Sequence, residues 1–253
     1  FKHYMYGTLA YQSSRDVFMG TQQPFLQFSV LQDPPSVFVN FEVAPEKVDA
    51  LVEYLDFPTG FALTPIAIIE GEEPRLYVTV NIYAVYGLRG FLFGNRAEWS
   101  VYVTKGRSRP SYMVVDARSS ELNLDAVNGF TEGTELLHER KSIGISSSVA
   151  SDRGTSFKSL ITEAGIRNAE RVYTETRWVS ANDRIYWRNG VSDRTYYDGN
   201  FVDTPVLSVD PGQILFSDTT VWRQFVKPDP VSVLVYETGF DLVISPWYNL
   251  DPE

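Results

Sequence analysis

The stretch Ala97-Glu98-Trp99-Ser100-Val101-Tyr102-Val103 decides the fold class. Side chains of a strand alternate between faces, so Glu98, Ser100 and Tyr102 share one face and Trp99, Val101 and Val103 the other. Further runs dense in β-branched and aromatic residues lie on both sides of it: Val37–Val43, Arg75–Tyr86, Tyr112–Ala117, Arg171–Val179, Val231–Glu237 and Phe240–Ile244. The dipeptides Asn189-Gly190 and Asp198-Gly199 signal tight hairpins. Between residues 181 and 197 a hairpin and a short helix are both open. One segment has a helical period: Pro45–Leu55 sets Val48, Leu51, Val52 and Leu55 on one face, with Pro45 suited to the first helical position. Many strands and one clear helix indicate a mostly β (β-rich α+β) chain. The expected architecture is a single antiparallel domain over residues 1–253, closed into a barrel or layered as a sandwich, with few short helices.

Composition narrows the chemistry. The chain has 253 residues, a net charge of −10, no cysteine and two histidines. Disulfides, thiolate nucleophiles, zinc ribbons and iron–sulfur clusters are therefore excluded. His3 is near the start of the chain and His138 lies in the charged run Glu135–Lys141; both read as ordinary surface residues. Neither a metal site nor a cofactor is expected. The acidic balance argues against nucleic-acid partners, whose phosphates select Lys and Arg. No apolar run reaches the roughly 18 residues that span a bilayer, so no membrane partner is expected. A cytoplasmic location is the expectation; the chain begins at Phe1 and a removed leader would leave no trace.

Phosphate loops, dinucleotide fingerprints, nucleophile elbows and calcium loops are all absent. Gly87–Gly94 reads as a loop between strands. The residues left for chemistry are carboxylates, arginines and tyrosines. Arg96 shares parity with Glu98, and the pair has two readings: a solvent-facing pair on a half-exposed strand, or an inward pair that holds a carboxylate or moves a proton. Asp116 and Arg118 repeat the pattern on the next strand, so pairing of the two strands would gather four charges, an arrangement more often structural than catalytic. Trp178–Arg188, with Arg184 and Tyr186, is rich in aromatics beside Arg and Asn. It suits either stacking on a planar ligand or simple packing.

Taken in order, several segments resemble the acetoacetate decarboxylase-like superfamily. They are the strand before Pro45–Val52 with that helix, the Pro/Gly turn and strand Phe57–Pro65, Gly94-Asn95-Arg96-Ala97-Glu98-Trp99, and the closing Val233–Leu242 with Ile244-Ser245-Pro246-Trp247. The resemblance implies a cone-shaped β barrel around a buried pocket. Family decarboxylases form a Schiff base through a lysine; at that place stands Val103, with Lys105 two residues on. The family's glutamate falls at about Val85 and its early arginine at about Glu42. The resemblance thus implies a relative with the same cavity and rewired polar groups.

Two functions stand side by side. One is a metal-independent lyase, hydratase, cyclase or hydrolase acting on a small or mid-sized carbonyl or carboxylate compound. In it Arg96 holds an anionic group, Glu98 or Glu42 moves a proton, and Tyr83 or Tyr102 donates to oxyanion charge. Trp99, Tyr102, Asp116, Arg118, Arg184 and Tyr186 would line the substrate. The other is a non-catalytic binder of an apolar or planar small molecule. A filled barrel that only packs or docks is a third. The expected partner is a small-molecule substrate or ligand, with a homo-oligomer also open.

Overall fold

A computed structural model describes residues 26–57, 59–87, 92–106, 110–120, 136–150, 156–174, 183–188, 191–199 and 206–244. Sixteen strands run in chain order: β1 (Leu26–Val30), β2 (Ser36–Glu42), β3 (Phe61–Leu63), β4 (Tyr77–Gly87), β5 (Leu92–Lys105), β6 (Ser111–Ser119), β7 (Leu136–Lys141) and β8 (Gly144–Ala150); then β9 (Ser156–Thr162), β10 (Glu170–Val172), β11 (Asp183–Arg188), β12 (Val191–Gly199), β13 (Val206–Val209), β14 (Ile214–Asp218), β15 (Ser232–Tyr236) and β16 (Phe240–Ile244). Among the described residues two α-helices form, α1 (Val48–Leu55) and α2 (Glu163–Arg167).

Twelve strands form one sheet in the order β10-β13-β15-β2-β4-β1-β16-β12-β11-β6-β5-β3, and β14-β9-β8-β7 form a second. Among the described residues, β6 with β11 is the one parallel pairing of the large sheet. The expected single closed barrel is corrected in part: among the described residues the large sheet as a whole is not closed, with β10 and β3 as its end strands, while a further pairing of β4 with β5 joins β4-β1-β16-β12-β11-β6-β5 into a ring. The reason lies in β4. One edge of it pairs with β5 throughout, while the other is divided between β2, at residues 77–82, and β1, at residues 85–87. The sheet splits there and folds back on itself, which gives a β-rich, cone-like wall.

The apolar parity of the central strands builds the main core. Val37, Val39, Val78, Val80, Ile82, Val101 and Val103 face Ile145, Val149, Phe157 and Ile161 of the small sheet. A 3₁₀ turn at Pro45–Lys47 leads into α1, and Asp56 ends it in the left-handed region at φ 44°. Leu51 and Leu55 are buried as expected, but Val52 is 39% exposed. The helix packs along a narrower stripe than its period suggests, with Tyr54 set edge-on to Trp222 at 5.3 Å.

Three further sequence readings change. Asp198-Gly199 is not a turn; both residues belong to β12 and pair with β16. Beyond β10, the run from Arg171 keeps only a bridge from Thr174 to Ile69, and residues 175–182 lie outside the described residues. His138 is not on the surface. It is 2% exposed on the inner face of β7, and His3 lies outside the described residues. Its Nε2–H donates to the Pro35 carbonyl at 2.9 Å, which leaves Nδ1 to accept from the Ser147 hydroxyl at 2.8 Å. The ring therefore ties the small sheet to the β1–β2 connection. Among the described residues no helix is long and apolar enough to cross a membrane.

Burial drives the His138 pKa down to about 4, with the Pro35 hydrogen bond opposing the shift. A base with a depressed folded-state pKa contributes its full stability above its unfolded value. That stability is lost as pH falls, because only the unfolded chain takes up the proton. Urea unfolding of the wild type should therefore lose about 2 kcal/mol more than H138Q between pH 7 and pH 5. Parallel pH profiles for the two proteins would contradict the neutral, buried assignment.

Candidate functional site

The side of β4 and β5 turned away from the main core carries Tyr77, Thr79, Asn81 and Tyr83 on one strand and Arg96, Glu98, Ser100 and Tyr102 on the other. Register sets Thr79 across from Ser100, Asn81 across from Glu98 and Tyr83 across from Arg96. Opposed residues of an antiparallel pair point to the same side, so these groups form one patch. Glu98, Ser100 and Thr79 are 0% exposed, and the solvent-facing reading of the Arg96–Glu98 pair does not hold.

Glu98 Oε1 accepts from the Tyr83 hydroxyl at 2.7 Å and from Arg96 Nε at 2.6 Å. Arg96 Nη1 also donates to Ser119 Oγ at 3.3 Å. Burying a carboxylate and a guanidinium costs several kcal/mol each, about what a close pair with added hydrogen bonds recovers. Beside this ionic group runs a neutral relay. Thr79 Oγ1 donates to Asn40 Oδ1 at 2.8 Å, so the Tyr102 hydroxyl, 3.2 Å away, is left to donate to Thr79. Asn40 Nδ2 in turn reaches Ser232 Oγ at 3.4 Å, and Ser36 donates to Asn81. Burial pushes the Tyr102 and Tyr236 phenols well above their ordinary values and Tyr77 up to about 12. Tyrosines in this state are hydrogen-bond donors, not bases. The Ser100 hydroxyl, between Glu98 and Tyr102, is buried with no hydrogen-bond partner.

The four-charge cluster does not form, although β5 and β6 do pair. From Val103 to Ser100 the register matches Tyr102 with Tyr112 and Ser100 with Val114; one residue later it matches Trp99 with Asp116 and Glu98 with Ala117. Val115 is the extra residue of this bulge, and it switches the parity of everything after it. Without the bulge, Glu98 would oppose Asp116 and Arg96 would oppose Arg118. With it, Asp116 and Arg118 share the Trp99 face. There they pair with each other, and Arg118 also donates to the Ala117 carbonyl at 2.8 Å. Together with Trp99, Thr220 and Trp222 they line a recess of about 20 Å³. Trp99, Asp116 and Arg118 are thus across the sheet from Glu98.

Glu42 is also apart. It closes β2 opposite Tyr77, four residues along β4 from Asn81, roughly 13 Å at strand spacing. Its carboxylate is held by Lys227 at 2.7 Å and Arg75 at 3.2 Å. The Lys227 hydrogen bond leads the causes that lower its pKa, against desolvation. An ionised clamp of this kind ties three segments together. Lys105 follows Val103 on the core-facing parity, exposed, with Nζ 5.6 Å from the Phe61 ring centre. Val85 is partly buried beside Tyr83. For Arg184 and Tyr186 only the backbone is described: β11 pairs with β6 through Arg184–Tyr112 and Tyr186–Val114.

The neutral relay of Asn40, Thr79 and Ser232 was missed from sequence. Its signal was the polar parity of Tyr77, Thr79, Asn81 and Tyr83 within a run taken simply as strand.

No family model matches the chain, and no curated protein matches it. Two solved structures do. One is an acetoacetate decarboxylase-like enzyme from Sphingomonas wittichii RW1, with 11% identity and a TM-score of 0.52 over 91% of this chain and 94% of that one. The other is an acetoacetate decarboxylase, with 10% identity and a TM-score of 0.52 over 89% of this chain and 88% of that one. Sequence identity this low speaks for the fold, and the order of strands and helix quoted from the sequence agrees with it. The chain has the acetoacetate decarboxylase-like fold.

Proposed function

We propose that this chain is an enzyme that acts on a small or mid-sized carbonyl or carboxylate compound by acid–base chemistry centred on Glu98. The observation that carries this reading is one oxygen of a fully buried carboxylate receiving both the Tyr83 hydroxyl and Arg96 Nε. The patch around it is polar where a packed core would be apolar, and Ser100 adds an unmatched hydroxyl. Glu98 moves the proton, Arg96 holds the anionic part of the substrate, and Tyr83 donates to oxygen as negative charge develops on it. Arg96 keeps 10% side-chain exposure, so the approach to the carboxylate leads past its guanidinium. Lys105, on the core-facing parity of β5, is poorly set to form a Schiff base with a substrate bound at Glu98.

A panel of keto acids, hydroxy acids and lactones followed by NMR is the direct test. For any compound turned over, E98Q should lose at least about a hundredfold in rate and Y83F roughly tenfold. Near-wild-type turnover by E98Q would remove the assignment. Saturable binding without turnover would favour the non-catalytic binder, and a borohydride-trapped ketone on Lys105 would restore covalent chemistry.

The same pair makes a stability prediction. E98Q removes the charge from one side of this buried ion pair and should cost about 3 kcal/mol in urea unfolding. The double variant R96M/E98L should recover most of that loss. If the double variant is as unstable as the sum of the single ones, the two side chains are not coupled.

A further inference from the structure

Two buried polar atoms without partners belong to one recess. Trp99 is 3% exposed and Thr220 8%, and neither the Trp99 indole N–H nor the Thr220 hydroxyl has a hydrogen-bond partner among the described residues. Buried donors are rarely left unmatched, because each loses the hydrogen bonds it makes in water. The Thr220 hydroxyl is unmatched for a local reason. It stands at the N-terminal cap of the 3₁₀ turn Val221–Phe225, a place where a threonine side chain commonly closes the first turn. Here it makes no cap hydrogen bond, and Asp218 accepts from the Thr220 backbone N–H at 2.7 Å instead. Both residues line the recess of about 20 Å³ that they share with Asp116, Arg118 and Trp222.

We propose that this recess is a binding site for one water molecule, which bridges Trp99 of β5 to Thr220. Size and chemistry select that occupant together. A single water needs about 10–15 Å³ and two to four polar partners. The indole N–H and the Arg118 guanidinium only donate, so a metal ion or an ammonium would meet hydrogen atoms on two sides. The Asp116 carboxylate only accepts, so an anion would meet like charge. Water accepts from Trp99 and donates to oxygen, and the Thr220 hydroxyl takes either part. Asp116 and Arg118 pair with each other and carry no net charge, which suits a neutral occupant. The Asp116 side chain is 30% exposed and marks the open side of the recess. Trp99 stands at the register step between β5 and β6, and the 3₁₀ turn packs Trp222 and Phe225 against Tyr54 of α1. The water thus joins the large sheet at its bulge to the segment that seats α1. The site lies across the sheet from Glu98 and is independent of the proposed catalysis.

A high-resolution crystal structure of the full chain, with and without a bromide soak, tests the site directly. One water oxygen should stand within hydrogen-bond distance of Trp99 Nε1 and Thr220 Oγ1. In solution, water magnetic relaxation dispersion should show one long-lived water fewer in W99F/T220V than in the wild type, and no loss in T220S, which keeps the hydroxyl. W99F removes the indole N–H and T220V removes the hydroxyl at nearly constant shape. In a double-mutant cycle of urea unfolding the two should couple by about tenfold in the unfolding equilibrium, because one bridge serves both groups. Additive effects would overturn the proposal. So would a recess without an ordered water, or a bromide ion seated at Trp99 Nε1.

Discussion

The pairing of β5 with its two neighbours is the constraint on which the rest depends. Its ladder with β4 runs from Val78–Val101 to Gly87–Leu92 without a break, and its ladder with β6 steps by one residue at Trp99/Ser100. The unbroken ladder keeps polar and apolar parities in register over the length of β4. One side of the sheet is therefore apolar from Val78 to Ile82 and from Ala97 to Val103, and builds the core with the small sheet. The other gathers hydroxyls, amides and the Arg96–Glu98 pair. The stepped ladder sends Asp116 and Arg118 to the apolar side, where they answer each other. Two ion pairs on opposite faces cost less than four charges crowded onto one, because each cation keeps a close anion and no like charges adjoin.

The buried polar face has two parts with different electrostatics. Around Glu98 the partners are charged or phenolic, so proton position matters. From Tyr102 through Thr79 and Asn40 to Ser232 the groups are neutral, and a single direction of donation satisfies them in sequence. Such a relay holds β2, β4, β5 and β15 in fixed relation without net charge. A buried network is favourable only when its members are satisfied together, so the relay acts as a rigid frame for the ionic pair beside it. Glu42, Arg75 and Lys227 do comparable work at the open end of β2, where solvent screens the charges.

The small sheet is joined to the large one by shared apolar packing and by His138. An imidazole with both nitrogens engaged fixes the approach of β7 to the β1–β2 connection in a way apolar contacts alone would not. Among the described residues its outward face has no such restraint, and its rows of leucine, serine and charged side chains follow strand register.

The sequence by itself determined the fold class, because alternation of period two and β-branched density are local properties. Val37–Val43, Phe240–Ile244 and the Pro45–Leu55 helix were all readable in this way, and so was the parity that sets Arg96 and Glu98 together. The order of segments also carried the likeness to the acetoacetate decarboxylase-like fold. Other features depended on distant parts of the chain. Whether Glu98 faced solvent or interior turned on what lies over β5. His138 sits in a charged run whose inward parity shows only once β7 meets β8 and Pro35. The separation of Asp116 and Arg118 from Glu98 turned on one unpaired residue, Val115, in a ladder between two strands. Side-chain type and spacing are written along the chain, but register, burial and the position of a bulge are relations between strands, and only the tertiary structure decided them.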